Sequence, residues 1–63
     1  MMRDKGLNIA IEAAGSVRAL GRLLGISHEA VRQWPKVPDK YLLKIEKVTG
    51  VDRKQLRPDL YRR

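Results

Sequence analysis

The stretch from Gly15 to Trp34, GSVRALGRLLGISHEAVRQW, fixes more of this chain's possible fold than any other, because two helical patterns meet there with almost no linker. Ser16 suits an N-cap, and Val17, Leu20, Leu23 and Leu24 recur at helical spacing on what reads as one inward face. Gly25 takes the left-handed conformation that ends a helix at no Cβ cost, Ile26 turns back toward the core, and Ser27 caps the next helix at once. Only a sharp turn fits between them. A helix over about 27–34 then faces Ile26, Ala30, Val31 and Trp34 inward and Ser27, His28, Glu29, Arg32 and Gln33 outward. The whole unit, about 16–34, has the layout of a helix-turn-helix.

The flanks continue the helical punctuation. Leu7, Ala10, Ile11 and Ala14 predict a first helix from about Lys5 to Ala14, stopped by Gly15. Pro35 and Pro38 prevent the second motif helix from running on. Pro38 and Asp39 suit the first turn of a fourth helix, whose inward face is Leu42, Ile45 and Val48 with Tyr41 or Thr49, and which Gly50 closes. Asp52 is placed to cap a last turn, Arg53 to Leu56, ended by Arg57-Pro58, before a short tail over 59–63. The segment from Tyr41 to Thr49 has no period-two alternation, which disfavours a C-terminal hairpin or sheet. The expected fold is all-α, five helices in one compact bundle, with no convincing strand.

With 63 residues the chain supports a single domain, 1–63, and a core that buries about 60% of the unfolded surface. It has no cysteine, so helix packing or self-association has to supply the stability. No apolar run approaches a membrane span and the Met-Met-Arg-Asp start has no signal-peptide core, so a cytoplasmic protein is expected. Fourteen Lys and Arg against seven Asp and Glu give a formal charge of +7, which favours a polyanionic partner. Only Trp34, Tyr41 and Tyr61 are aromatic, too few for the stacking platforms of single-strand and RNA readers. Duplex DNA is the polyanion that fits.

On a helix lying in the major groove, the base-contacting candidates are Ser27, His28, Glu29, Arg32 and Gln33. Arg32 can donate twice to guanine O6 and N7, and Gln33 can pair with adenine N6 and N7. Each such bidentate pair discriminates by ~1 to 3 kcal/mol. His28 suits a purine N7 or a phosphate, and Glu29 suits cytosine N4 or an i,i+3 pair with Arg32. Ser27 is divided between capping and contact. The phosphate-contacting candidates are Ser16 and Val17 at a helix N-terminus with Arg18 beside them, and Lys36 and Lys40, which flank the far side of the second motif helix and suit a second phosphate stretch. Arg22, Lys44, Lys47, Arg53, Lys54 and Arg57 have no assignment beyond solubility.

LLGISHEAVRQW, followed by Val37-Pro38, resembles the Cro-type repressors of lambdoid bacteriophages and the related small Cro-like or antitoxin-type regulators of prophages. Gly15-Ser16, Leu23-Leu24-Gly25-Ile26-Ser27 and Ala30-Val31-Arg32-Gln33-Trp34 stand where that family has its helix start, turn and ending, within a resemblance covering about residues 7–58. Gly21 replaces the usual small alanine, and Leu24 alters the common Ala-Leu order. The resemblance implies a lambda-repressor-like fold and a repressor, often dimeric, on a pseudo-palindromic operator. It also implies that Ser27, His28, Arg32 and Gln33 occupy base-facing positions. Cro proteins carry either a helical or a stranded C-terminal half, so beyond Val37 the helical periodicity decides.

Other functions fit less well. One histidine, no cysteine and scattered acids supply no metal cluster, nucleophile–base pair or phosphate loop, so neither catalysis nor a metal, cofactor or small-molecule ligand is expected. A membrane-active cationic helix conflicts with helices broken by Gly and Pro. A protein-interaction or RNA-binding module, or an antitoxin-type regulator, remains the alternative. A weak homodimer, or a dimer formed on DNA, is expected, with Leu56, Leu60 and Tyr61 or the outward Leu43 as contacts if they do not finish the core.

Overall fold

A computed structural model describes residues 4–61. Six helices follow in order: α1 (Lys5–Ala14), α2 (Val17–Leu24), α3 (His28–Arg32), α4 (Asp39–Thr49), α5 (Arg53–Leu56) and α6 (Pro58–Tyr61), with no strand among the described residues. The first three residues and the basic end of the tail, 62–63, lie outside them.

Local chemistry sets most of the boundaries. An Asp4 carboxylate oxygen accepts the Leu7 N–H at 3.2 Å, Ser16 Oγ the Ala19 N–H at 3.0 Å, Ser27 Oγ the Ala30 N–H at 3.2 Å and Asp52 the Lys54 N–H at 2.9 Å. Each bond satisfies one donor that a helix start leaves open. At the other ends, Gly25 and Gly50 stand in the left-handed region at φ 75° and 78°. The sixth helix was not expected. Pro58 has the fixed φ suited to a first helical position, so the residue that ends α5 also starts one more turn.

The core is one cluster: Leu7, Ala10 and Ile11 from α1, Leu20 and Leu24 from α2, Val31 from α3, Leu42 and Ile45 from α4, Leu56 from α5 and Val37 from the α3–α4 loop. Burying each large side chain fully is worth about 1.5–3 kcal/mol. Two residues expected inside are not there. Leu23 is 43% exposed and Val48 is 38% exposed. On α2 the buried arc is centred between Leu20, Gly21 and Leu24, and Leu23 falls roughly 110° away from its middle. On α4 the position in line with Leu42 and Ile45 is Thr49, whose hydroxyl donates to the Ile45 carbonyl at 2.6 Å and so satisfies itself at the edge of the core.

Two features of the packing left no sequence signal. At Gly6, in the first turn of α1, a Cβ would strike the Leu56 carbonyl and stand 3.0 Å from the Gln55 carbonyl oxygen, so α1 and α5 meet backbone to backbone. Arg57, expected to serve solubility, is only 8% exposed. Its guanidinium donates to the buried Val37 carbonyl at 2.8 Å, to Asp39, and through Nε and Nη2 to both oxygens of Asp59 at 2.9 and 2.8 Å. One side chain thus ties the α3–α4 loop, the start of α4 and the start of α6 together.

Candidate nucleic-acid interface

The α2–α3 pair is held at a fixed angle by a turn with no slack. The Ile26 N–H donates to the Gly21 carbonyl at 2.9 Å and the Gly25 N–H to the Arg22 carbonyl at 3.2 Å. A Cβ on Gly21 would lie 2.8 Å from the Ile26 carbonyl oxygen and 3.2 Å from the His28 nitrogen. Glycine in place of the family's usual alanine therefore lets the start of α3 settle directly on α2. Val31 anchors α3 in the core with no exposed surface, and α3 packs chiefly on α2.

The helix is shorter than expected. It runs from His28 to Arg32, with Ser27 as N-cap and Gln33 as C-cap, so Trp34 lies beyond it. Trp34 is half-buried against the core and stacks on Tyr41, with ring centroids 5.4 Å apart. It joins the end of α3 to the start of α4, where a fully buried core residue was expected.

Outward residues follow from the anchor. With Val31 inward, helical geometry turns Glu29 and Gln33 to the opposite side and Arg32 about 100° round from it, and all three are exposed. His28 sits at the edge of that face and is half-buried. Ser27 is exposed, but its oxygen is engaged by the Ala30 N–H, leaving its hydroxyl proton as a donor. The expected Glu29–Arg32 pair is not formed, and no ion pair involves Arg32 among the described residues. Four of the five base-contact candidates are thus exposed on one short helix and its two caps, with His28 at the margin.

The phosphate-contact candidates are more dispersed. Ser16 uses its hydroxyl oxygen on Ala19, so the open donors at the start of α2 are the backbone N–H groups of Val17 and Arg18. Arg18 is exposed and Val17 is half-buried. Lys36 stands just after α3, with its Nζ 3.9 Å from an Asp59 oxygen in an exposed pair. Such a pair holds a side chain weakly and yields readily to a phosphate. Lys40 lies over the Tyr41 ring, 5.4 Å from its centroid. A shallow groove of about 320 Å³ lined by Lys5, Ile9, Lys54, Gln55 and Pro58 occupies the α1–α5 side, away from the main α2–α3 contact. No group of acidic, histidine or cysteine side chains suited to a metal occurs among the described residues, and no described helix is long and apolar enough to cross a membrane.

Comparison with known proteins bears on the family and the fold. Residues 7–63 match the family described as bacterial toxin YdaS. The solved structure of the Cro protein from the putative prophage element Xfaso 1 in Xylella fastidiosa strain Ann-1 is 36% identical, covers 92% of this chain and 97% of its own, and superposes with a TM-score of 0.78. No curated protein matches the chain. By family match and by fold together, the chain belongs to the YdaS family and to the Cro-type family of phages and prophages.

Proposed function

We propose that this protein is a sequence-specific duplex-DNA-binding transcriptional repressor of phage or prophage origin, reading bases in the major groove with α3. The observation that carries this reading is the exposed face of Ser27, Glu29, Arg32 and Gln33, with His28 at its edge, on a helix whose tilt Gly21 and Val31 fix. Arg32 and Gln33 supply the bidentate donors and acceptors that tell guanine and adenine apart. Val17, Arg18, Lys36 and Lys40, with Ser16 shaping the start of α2, surround that face with phosphate contacts. The whole chain, 1–63, serves as one DNA-binding domain, and two copies occupy half-sites about one helical turn, ~34 Å, apart. It would act in the cytoplasm of a bacterial host.

Replacing Arg32 or Gln33 with alanine is expected to relax base preference at one position of the site by ~1 to 3 kcal/mol, roughly five- to 150-fold, while thermal melting stays at the wild-type midpoint. Competition binding against duplexes changed at single positions measures this. A uniform loss on every sequence would place both side chains on the backbone and sink the base-reading role.

The family description favours a second reading, in which the chain is harmful to its host. Growth arrest on induced expression that persists in the Arg32→Ala/Gln33→Ala double variant would support toxicity independent of base reading. Arrest abolished in that variant would tie it to DNA.

A further inference from the structure

Helix α4 carries on from Lys40, already placed beside the α3 face, into a row that the α3 reading does not otherwise use. Lys40, Lys44 and Lys47 are exposed and, with Leu43, fall within roughly 100° of the helix circumference, opposite the buried Leu42 and Ile45. A solvated helix face ordinarily mixes charges of both signs. This one does not: Asp39 and Glu46, the two carboxylates of α4, fall roughly 90–110° from the middle of the row, and the fold engages both elsewhere. Asp39 is held by Arg57, and Glu46 accepts the Arg53 N–H at 3.0 Å and pairs with its guanidinium at 3.3 Å. No carboxylate reaches Lys40, Lys44 or Lys47 among the described residues.

The stripe also has a direction. Lys40 lies over Tyr41, Tyr41 stacks on Trp34, and Trp34 follows α3, so the cationic row begins beside the exit of the reading helix and continues along α4. From Lys40 to Lys47 the helix rises about 10.5 Å. Lysines are flexible point charges that suit phosphates rather than base edges. Leu43, 58% exposed, is the one large apolar side chain in the row, far too little for a membrane surface, which needs a continuous apolar face.

We infer that the outward face of α4, formed by Lys40, Lys44 and Lys47, is a second backbone-contacting surface that holds duplex DNA beyond the segment read by α3. The inference rests on the reading of α3 as the base-contacting helix. It makes the bound duplex longer than the recognised sequence.

The test uses the full chain with two selected duplexes, one with long flanks and one trimmed to the base-read segment, titrated over a range of salt. On the long duplex the Lys44→Gln/Lys47→Gln variant is expected to flatten the plot of log affinity against log salt by about 0.9 for each lysine lost, with base preference and melting unchanged. On the trimmed duplex it is expected to bind as the wild type does. A wild-type slope in the variant on the long duplex overturns the inference, as does an equal loss on both duplexes, which would put the lysines inside the base-read segment. Loss of binding to a structured RNA or an acidic peptide with duplex binding intact overturns it in favour of that partner. A wild-type chain that binds no duplex removes the α3 reading, and this inference with it, whereas failure of α4 alone leaves the selected base preference in place.

Discussion

Gly6→Ala is expected to remove a large part of the protein's stability, although the change adds a single methyl group. The added Cβ would collide with the Leu56 carbonyl, lie 2.7 Å from its carbon and crowd the Gln55 oxygen. All of these are backbone atoms, so no side chain can rotate away. Relief requires α1 and α5 to separate, which opens the cluster where Leu7 and Leu56 are both fully buried. Overpacking of this kind costs about 1–3 kcal/mol and occasionally more, and a clash with fixed backbone belongs at or above the upper end. Helix propensity acts in the opposite direction, favouring alanine over glycine by about 1 kcal/mol. A net loss is therefore the steric cost less that gain, and sets a lower bound on the clash. At ~4–8 °C per kcal/mol for a domain of this size, the melting midpoint is expected to fall by more than about 10 °C. Asn8→Ala, at an exposed position of the same helix, is expected to stay near wild type. A Gly6→Ala midpoint equal to that of Asn8→Ala would contradict the close α1–α5 contact.

The second large effect is expected at Arg57→Met, which keeps the apolar stem and removes the guanidinium. The Val37 carbonyl belongs to a residue with no exposed surface, and leaving a buried carbonyl without a donor costs about 1–3 kcal/mol. The bonds to Asp39 and Asp59 disappear with it. Acid sensitivity supplies a second readout. Hydrogen bonds from the Arg57 guanidinium, reinforced by its charge, hold the Asp59 carboxyl down at about 2. An unfolded aspartate titrates near ~3.9. The folded state therefore binds this proton less readily, and the resulting stabilisation is complete above pH ~4 and is lost as pH falls through that value toward 2. Urea unfolding of both proteins is expected to show a deficit in Arg57→Met at pH 7 that narrows between pH 5 and pH 2. Equal stability at pH 7 would show that the loop and α6 hold together without the clamp.

These two residues also mark where the sequence stops being informative. Ser16, Ser27, Asp52 and the glycines at 15, 25 and 50 announce helix ends because a cap or a left-handed turn is completed within a few residues. The contacts of Arg57 with Val37 and Asp39 span 20 and 18 positions, and the approach at Gly6 joins opposite ends of the chain. No local pattern encodes either. Periodicity also gives the existence of an inward face more reliably than its centre. Neighbouring helices set that centre, which is why Thr49 takes the place expected of Val48 and why Leu23 faces out. The candidate interface was legible as the complement of the Val31 anchor, so Glu29, Arg32 and Gln33 appear where the spacing puts them. The single-signed row on α4 follows from helical spacing, whereas the pairing of its two off-row carboxylates with Arg53 and Arg57 comes from residues 7 and 18 positions away and had no local signal.

Selection of bound duplexes from a random pool by the full chain tests the central claim, that α3 reads duplex DNA, most directly. The expected result is enrichment of a short pseudo-palindromic sequence whose half-site centres lie about one helical turn, ~34 Å, apart, with guanine or adenine fixed at positions that Arg32→Ala or Gln33→Ala then relaxes. A pool that stays random through successive rounds, while the protein remains folded and retains duplexes only in proportion to low salt, would show a cationic surface without a reading helix and contradict the account.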